Sequence, residues 1–208
     1  MKHRRAREAI CRTGAHLAAR GLSPGTSGNL SVRIAGGYIV TPTNASLATL
    51  EPDALSLLDE HGEHIDGAKP TKERALHIAV YRERSQCNGI VHLHSTYAVA
   101  YSCLCDRDPS DAMPPITPYA IMRLGRVALI EYVRPGDARL AELVAQSARE
   151  HHAILLANHG PVFAGTTLEA ATAAAEELEE TAKLYFILHD HPTNLLNKAN
   201  VDELRLTN

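Results

Sequence analysis

Segments patterned as helices alternate with segments patterned as strands along nearly the whole chain. That alternation argues for an α/β or layered α+β domain. Residues 3–20 carry Ala6, Ile10, Thr13 and Leu17 at helical spacing, and Gly21 follows as a stop. Leu30–Ile34 alternates as a strand, Gly36-Gly37 supplies a hairpin turn, and Tyr38–Thr41 returns. A short helical turn is predicted at Glu51-Pro52-Asp53, then a strand over 54–59 and a turn at His61-Gly62. Thr71 reads as the N-cap of a helix over 72–84, apolar at Ala75, Leu76, Ala79 and Val80. Strands follow at 89–95, 127–133 and 153–157. Helices are expected over 96–105, from Asp137 to about 151, and over 168–189. Residues 106–118 read as a proline-rich loop, Asn158-His-Gly-Pro161 as the end of a strand, and the tail after Pro192 as polar and weakly packed or lying on a neighbour.

Composition narrows the class. Of 208 residues 45% are hydrophobic and 22% charged, enough to bury the core of a single domain spanning 1–208. Lys and Arg number 21 against 24 Asp and Glu, a balance ill suited to non-specific nucleic-acid binding. No apolar run approaches the roughly 20 residues that span a bilayer. The basic start, Met1 to Glu8, lacks the apolar stretch of a secretory signal, so a cytoplasmic protein is expected. The four cysteines form no Cys-x-x-Cys pair and are expected as free thiols. Twelve histidines are a surplus that invites a search for metal ligands.

His92 and His94 stand two apart in an apolar strand, so alternation turns both to one face. Such a pair can share a metal ion or simply face solvent. His159 sits at the end of another apolar strand, where α/β proteins display functional groups. Three imidazoles leave a tetrahedral ion one open position, the pattern of a catalytic site. Glu73 in the first turn of its helix is either a favourable dipole partner or an acid/base and fourth ligand. His77, one turn on, reads as packing or as support for the site. The small residues of Gly25-Thr-Ser-Gly-Asn29 suit a plain turn or a phosphate cradle. The segment lacks the Lys-Ser/Thr ending of a Walker A loop, and a strand, not a helix, follows it. Thr43 and Thr71 could add hydroxyl donors there, and Lys72 a cation.

Five segments in order resemble the class II aldolase/adducin family. They are Gly25–Arg33, Thr41-Pro-Thr43, Lys69-Pro-Thr-Lys-Glu73, His92-Leu-His-Ser95 and Asn158-His-Gly160, within a likeness running from about residue 5 to 189. The resemblance implies a central, mostly antiparallel sheet sandwiched between helical layers. It also implies one Zn²⁺ per subunit held by His92, His94 and His159, with Glu73 as the acid/base that reaches the metal in the empty site. Thr26, Gly28, Asn29, Thr43 and Thr71 would hold the substrate phosphate, and Lys72 its carboxylate or phosphate. The family's usual assembly is a homotetramer with active sites at subunit interfaces, where Tyr119 would act as a donor.

Within the family, Lys72, Pro114–Tyr119, Arg123-Leu-Gly125 and Tyr132–Asp137 resemble the branch that decarboxylates 3-oxo-tetronate 4-phosphates. The activity so implied is a carbon–carbon lyase that releases CO₂ and dihydroxyacetone phosphate through a metal-stabilised enediolate. An aldolase cleaving fuculose- or rhamnulose-type phosphates needs the same enediolate and stands as the alternative enzyme. A non-catalytic, adducin-like interaction domain is the alternative outside enzymes, although such members tend to lose the zinc ligands that this chain retains.

Overall fold

The computed structural model describes residues 3–206. Met1 and Lys2 of the basic start, and the last two residues of the tail, lie outside that range. Helix α1 (Arg4–Ala19) leads into strands β1 (Asn29–Ile34), β2 (Gly37–Val40), β3 (Ser56–Asp59) and β4 (His64–Asp66). Then come α2 (Arg74–Glu83), β5 (Gly89–His92), α3 (Thr96–Ser102), α4 (Pro118–Leu124), β6 (Val127–Ile130) and α5 (Ala138–Ala148). The chain finishes with β7 (Ala153–Leu156), β8 (Gly160–Gly165), α6 (Leu168–Leu188) and α7 (Lys198–Leu206). No described helix is long and apolar enough to cross a membrane.

The strands form one sheet in the order β4-β3-β2-β1-β5-β8-β7-β6. Every pairing is antiparallel except β6 with β7. That parallel pair needs a crossover, and α5 provides it, capped by Asp137, whose Oδ1 accepts from Arg139 N at 3.0 Å. Side chains alternate between two helical layers. Leu30, Val32, Val91, Leu155 and Phe163 pack with residues of α1, α3, α4 and α6. Ile90, Ala128, Ile154, Leu156 and Val162 pack with Leu76, Val80, Leu140 and Val144 of α2 and α5. Each fully buried aliphatic side chain contributes about 1.5–3 kcal/mol. The sheet is thus mostly antiparallel and sandwiched between helices, and all four cysteines are free.

Several elements depart from the sequence reading. The fully buried residues of α1 are Arg7, Ile10, Gly14 and Leu17, while Ala6 is half-buried against the same core and Thr13 is half-buried. Gly14 lets the chain at Leu47 pack directly on the helix, since a Cβ there would meet Leu47 O at 2.7 Å. Arg7 is inside because Nη1 donates to Pro52 O and Leu55 O, each at 2.8 Å. Helix α2 begins at Arg74, so Glu73 is its N-cap residue, and its buried face includes His77 and Tyr81 while Ala75 is exposed. Strand β4 is fully exposed and bears no pattern to read. The segment 158–161 does end β7, and it also turns into β8, an unexpected strand that starts at Gly160 and pairs with both β5 and β7. The expected loop holds as far as Thr117, and an unexpected helix α4 follows, capped by Thr117 with Pro118 in its first turn. The tail forms α7, with Arg205 ion-paired to Asp111 at 2.6 Å.

A histidine and carboxylate cluster at the mouth of the sheet

Strand β5 ends at His92, and the chain then leaves the sheet to place His94 and start α3. The carboxylate of Glu179 on α6 accepts from Tyr97 N at 2.9 Å and Ala98 N at 2.8 Å, which anchors the first turn of α3 just beyond His94. The β7–β8 turn supplies His159. Asn158 adopts a left-handed φ of 56° there, and Gly160, at φ 153°, lets the backbone pass where a Cβ would lie 2.3 Å from Leu93 O. Glu73 arrives from the opposite layer at the start of α2.

These four side chains converge. Their donor atoms lie within 4.8 Å of one another. Glu73 Oε2 is 3.3 Å from His92 Nε2, and Oε1 is 3.2 Å from His159 Nε2. His94 Nε2 is 3.1 Å from His92 Nε2, and the three rings meet edge to face with centroids 4.8–5.0 Å apart. Burial works against charge on Glu73, but His92, His159 and the Asn29 amide outweigh it and hold the carboxyl well below the usual carboxylate range. Burial also disfavours a charged His92, yet Glu73 and the Pro161 carbonyl raise it. His94 is pushed down to about 4, first by burial and then by the other two rings.

The arrangement fits a divalent metal ion. Neutral His94 offers a lone pair. His92 Nδ1 donates to Pro161 O at 2.8 Å, so Nε2 is the nitrogen turned to the cluster. Glu73 Oε1 is buried without an aligned hydrogen-bond partner, as a ligand oxygen awaiting a cation would be. Three imidazoles and one carboxylate make a donor set for zinc or a similar divalent ion.

A cavity of about 590 Å³ opens in front of the cluster. Its lining brings together Thr26, Gly28, Asn29, Thr43, Thr71, Lys72, Glu73, His94 and His159. Backbone pairing explains part of this: Thr71 N donates to Thr41 O at 3.1 Å and Thr43 N to Lys69 O at 3.0 Å, which lays the two threonine segments side by side. Gly28 lies so near β5 that a Cβ would stand 3.0 Å from His92 O. Asn29 is buried and directly opposite His92 in the β1–β5 register. Its Nδ2 donates to Glu73 Oε2 at 2.7 Å, and its Oδ1 meets His77 Nε2 at 2.5 Å. Tyr119 does not line this cavity and is 62% exposed on α4. Tyr132, Gly136, Asn44 and Asn158 also line it, although the sequence motifs that contain Tyr132, Gly136 and Asn158 carry no site role for them. The sequence signals available for them are an aromatic residue near a Pro-Gly turn and two asparagines in turn segments, both of which take a left-handed φ in the structure.

Comparison with known proteins agrees with this geometry. The chain is 46% identical over 200 residues to the 3-oxo-tetronate 4-phosphate decarboxylase of Escherichia coli strain K12, covering 96% of this chain and 94% of that protein. It is 34% identical over 166 residues to the L-fuculose phosphate aldolase of Methanococcus maripaludis, covering 80% and 88% respectively. The crystal structure of YgbL from Klebsiella pneumoniae superposes with a TM-score of 0.95 at 45% identity, covering 99% of this chain and all of that one. The profile of the class II aldolase and adducin N-terminal domain matches residues 8–186, and the chain belongs to that family.

Proposed function

We propose that this protein decarboxylates a 3-oxo-tetronate 4-phosphate to dihydroxyacetone phosphate and CO₂. The observation that carries the reading is the 46% identity to a decarboxylase across nearly the full chain, against 34% to a fuculose phosphate aldolase. It is supported by a cavity that joins hydroxyl and amide donors and one lysine to a buried carboxylate among three imidazoles.

In the proposed reaction the C1–C2 bond breaks, CO₂ leaves, and the electron pair delocalises over C2, C3 and the C3 oxygen. C2 then takes up one proton. A divalent ion held by His92, His94 and His159, in this reading zinc, supplies Lewis-acid stabilisation of the developing negative charge. The chain's own groups do the rest. Thr26, Gly28, Thr43 and Thr71 fix the phosphate through hydroxyl and amide donors, which places the reacting carbons at the cavity floor. Lys72 offsets the charge of the carboxylate or phosphate. Glu73 faces the floor and relays the proton to C2. In a homotetramer the exposed Tyr132 at the cavity mouth would have a partner surface, and sedimentation would read that assembly.

The test is an assay of zinc-loaded protein with 3-oxo-tetronate 4-phosphate that follows CO₂ and dihydroxyacetone phosphate together. Equal formation of both, lost on chelation and restored by zinc, is the expected result. No turnover of either C2 stereoisomer, with an aldehyde released from fuculose 1-phosphate instead, would replace this reading by the aldolase.

A further inference from the structure

Behind Glu73 lies a run of polar side chains that the reaction as written does not use. Helix α2 presents Glu73, His77 and Tyr81 at successive turns of one face. Strand β1 presents Asn29 and Ser31 two residues apart, on the sheet face toward α2. The five side chains interleave like a zipper. Asn29 Nδ2 to Glu73 Oε2 is 2.7 Å, Asn29 Oδ1 to His77 Nε2 is 2.5 Å, His77 Nδ1 to Ser31 Oγ is 2.7 Å, and Ser31 Oγ to Tyr81 OH is 2.9 Å. Asn29, Ser31, His77 and Tyr81 are all buried, at 4%, 0%, 0% and 1% exposure.

Each link fixes the direction of the next. A carboxylate only accepts, so the Asn29 atom beside Glu73 is the amide nitrogen and its oxygen faces His77. That oxygen accepts, so His77 carries its proton on Nε2. Burial, and after it the charge on His92, pushes His77 down to about 3, so the ring is neutral and Nδ1 is bare. Ser31 therefore donates to Nδ1, and Tyr81, whose phenol burial keeps protonated, donates to Ser31. The far end is held by Arg33, whose guanidinium lies 4.9 Å from the Tyr81 ring centre and donates to Tyr81 O at 2.6 Å. Every donor points toward Glu73.

We propose that Tyr81, Ser31 and His77 form a positioning chain that acts through the Asn29 amide to set the orientation of the Glu73 carboxylate. This deepens the lyase reading and rests on it for the reaction affected. None of the three touches the cavity, so they would act on how Glu73 is presented rather than on how substrate binds.

Two measurements test it. In protein labelled with ¹⁵N-histidine, His77 should show a protonated Nε2 and a bare Nδ1. The opposite tautomer overturns the chain, and this readout does not depend on turnover, so an inactive wild type would defeat the lyase reading alone. Kinetically, His77→Leu should lower kcat by about 10- to 100-fold with metal content unchanged. KM should stay within about twofold. His77→Gln, which can still donate to Asn29, should recover most of the loss. The Asn29→Ala, His77→Leu double variant should be no slower than Asn29→Ala alone. Multiplying losses in the double variant, or a fall in thermal stability with unchanged kcat, would overturn the proposal. Should His77→Leu not fold, Ser31→Ala and Tyr81→Phe provide the same test, each expected to lower kcat by about 2- to 10-fold.

Discussion

Nδ1 of His92 donates to the backbone carbonyl of Pro161 across the β5–β8 pair, at 2.8 Å. The main chain of one strand thereby orients a ring carried by the next, and turns Nε2 toward Glu73. The paired strands, and not a loop, therefore aim this one nitrogen.

His94, by contrast, stands beyond the end of β5, where its ring meets His92 at 3.1 Å and lines the cavity. His94→Ala should lose the bound divalent ion and more than about 100-fold of turnover. Metal analysis beside the coupled assay checks this. Near-normal activity in demonstrably metal-free protein would defeat the metal-assisted reading.

Gly160 allows the turn that carries His159. With φ at 153° and Leu93 O only 2.3 Å from where an added Cβ would sit, Gly160→Ala should cost about 2–4 kcal/mol of stability. Urea unfolding measures it, and a loss under about 1 kcal/mol would contradict so close an approach.

His77 gives the fold an acid limit. Its folded value of about 3 lies below the ordinary 6.5, with burial and His92 lowering it and Glu73 raising it. The unfolded chain therefore binds a proton here before the folded one does. Stability from this group is full above about pH 6.5 and is lost as pH falls toward 3, by up to about 1.4 kcal/mol per unit. The difference between wild type and His77→Gln, followed by thermal unfolding from pH 7 to 4, should shrink as pH drops. A constant difference would show that His77 takes up its proton normally.

Arg7 ties α1 to the turn before β3. Arg7→Met would keep the apolar stem but leave the carbonyls of Pro52 and Leu55 without these two donors. A loss of about 2–4 kcal/mol is expected from chemical denaturation, with the metal content unaltered.

The sequence made legible whatever carried a local pattern. The alternation in β1, the apolar run of β7 and the Ala- and Glu-rich stretch of α6 each matched the segment that formed, whereas the strand expected over 89–95 stopped at His92. So did the convergence of His92, His94, His159 and Glu73, through ordered motifs shared with a family. Elements shaped by long-range contact were hidden. Strand β4 lies at the sheet edge with nothing to bury. Strand β8 starts with Gly160-Pro161, which reads as a turn although its neighbours complete a ladder on both sides. The phase of α1 depended on Gly14 meeting Leu47, a contact between residues far apart in sequence. Asn29 looked like a phosphate donor in a small-residue loop. That its amide also joins Glu73 to His77 depended on α2 crossing β1, which no local spacing encodes.

Glu73 caps the start of helix α2, whereas His92 belongs to the sheet beneath it. The 3.3 Å between acid and imidazole is therefore set by how the helix seats on the sheet, through the packing of Leu76, Val80, Ile90 and Val162. A methylene added or removed there would tilt the helix and change the reach of the acid, and displacement by about 1 Å is enough to slow a reaction severely. Selection for a new substrate could thus work through aliphatic residues that no ligand ever meets.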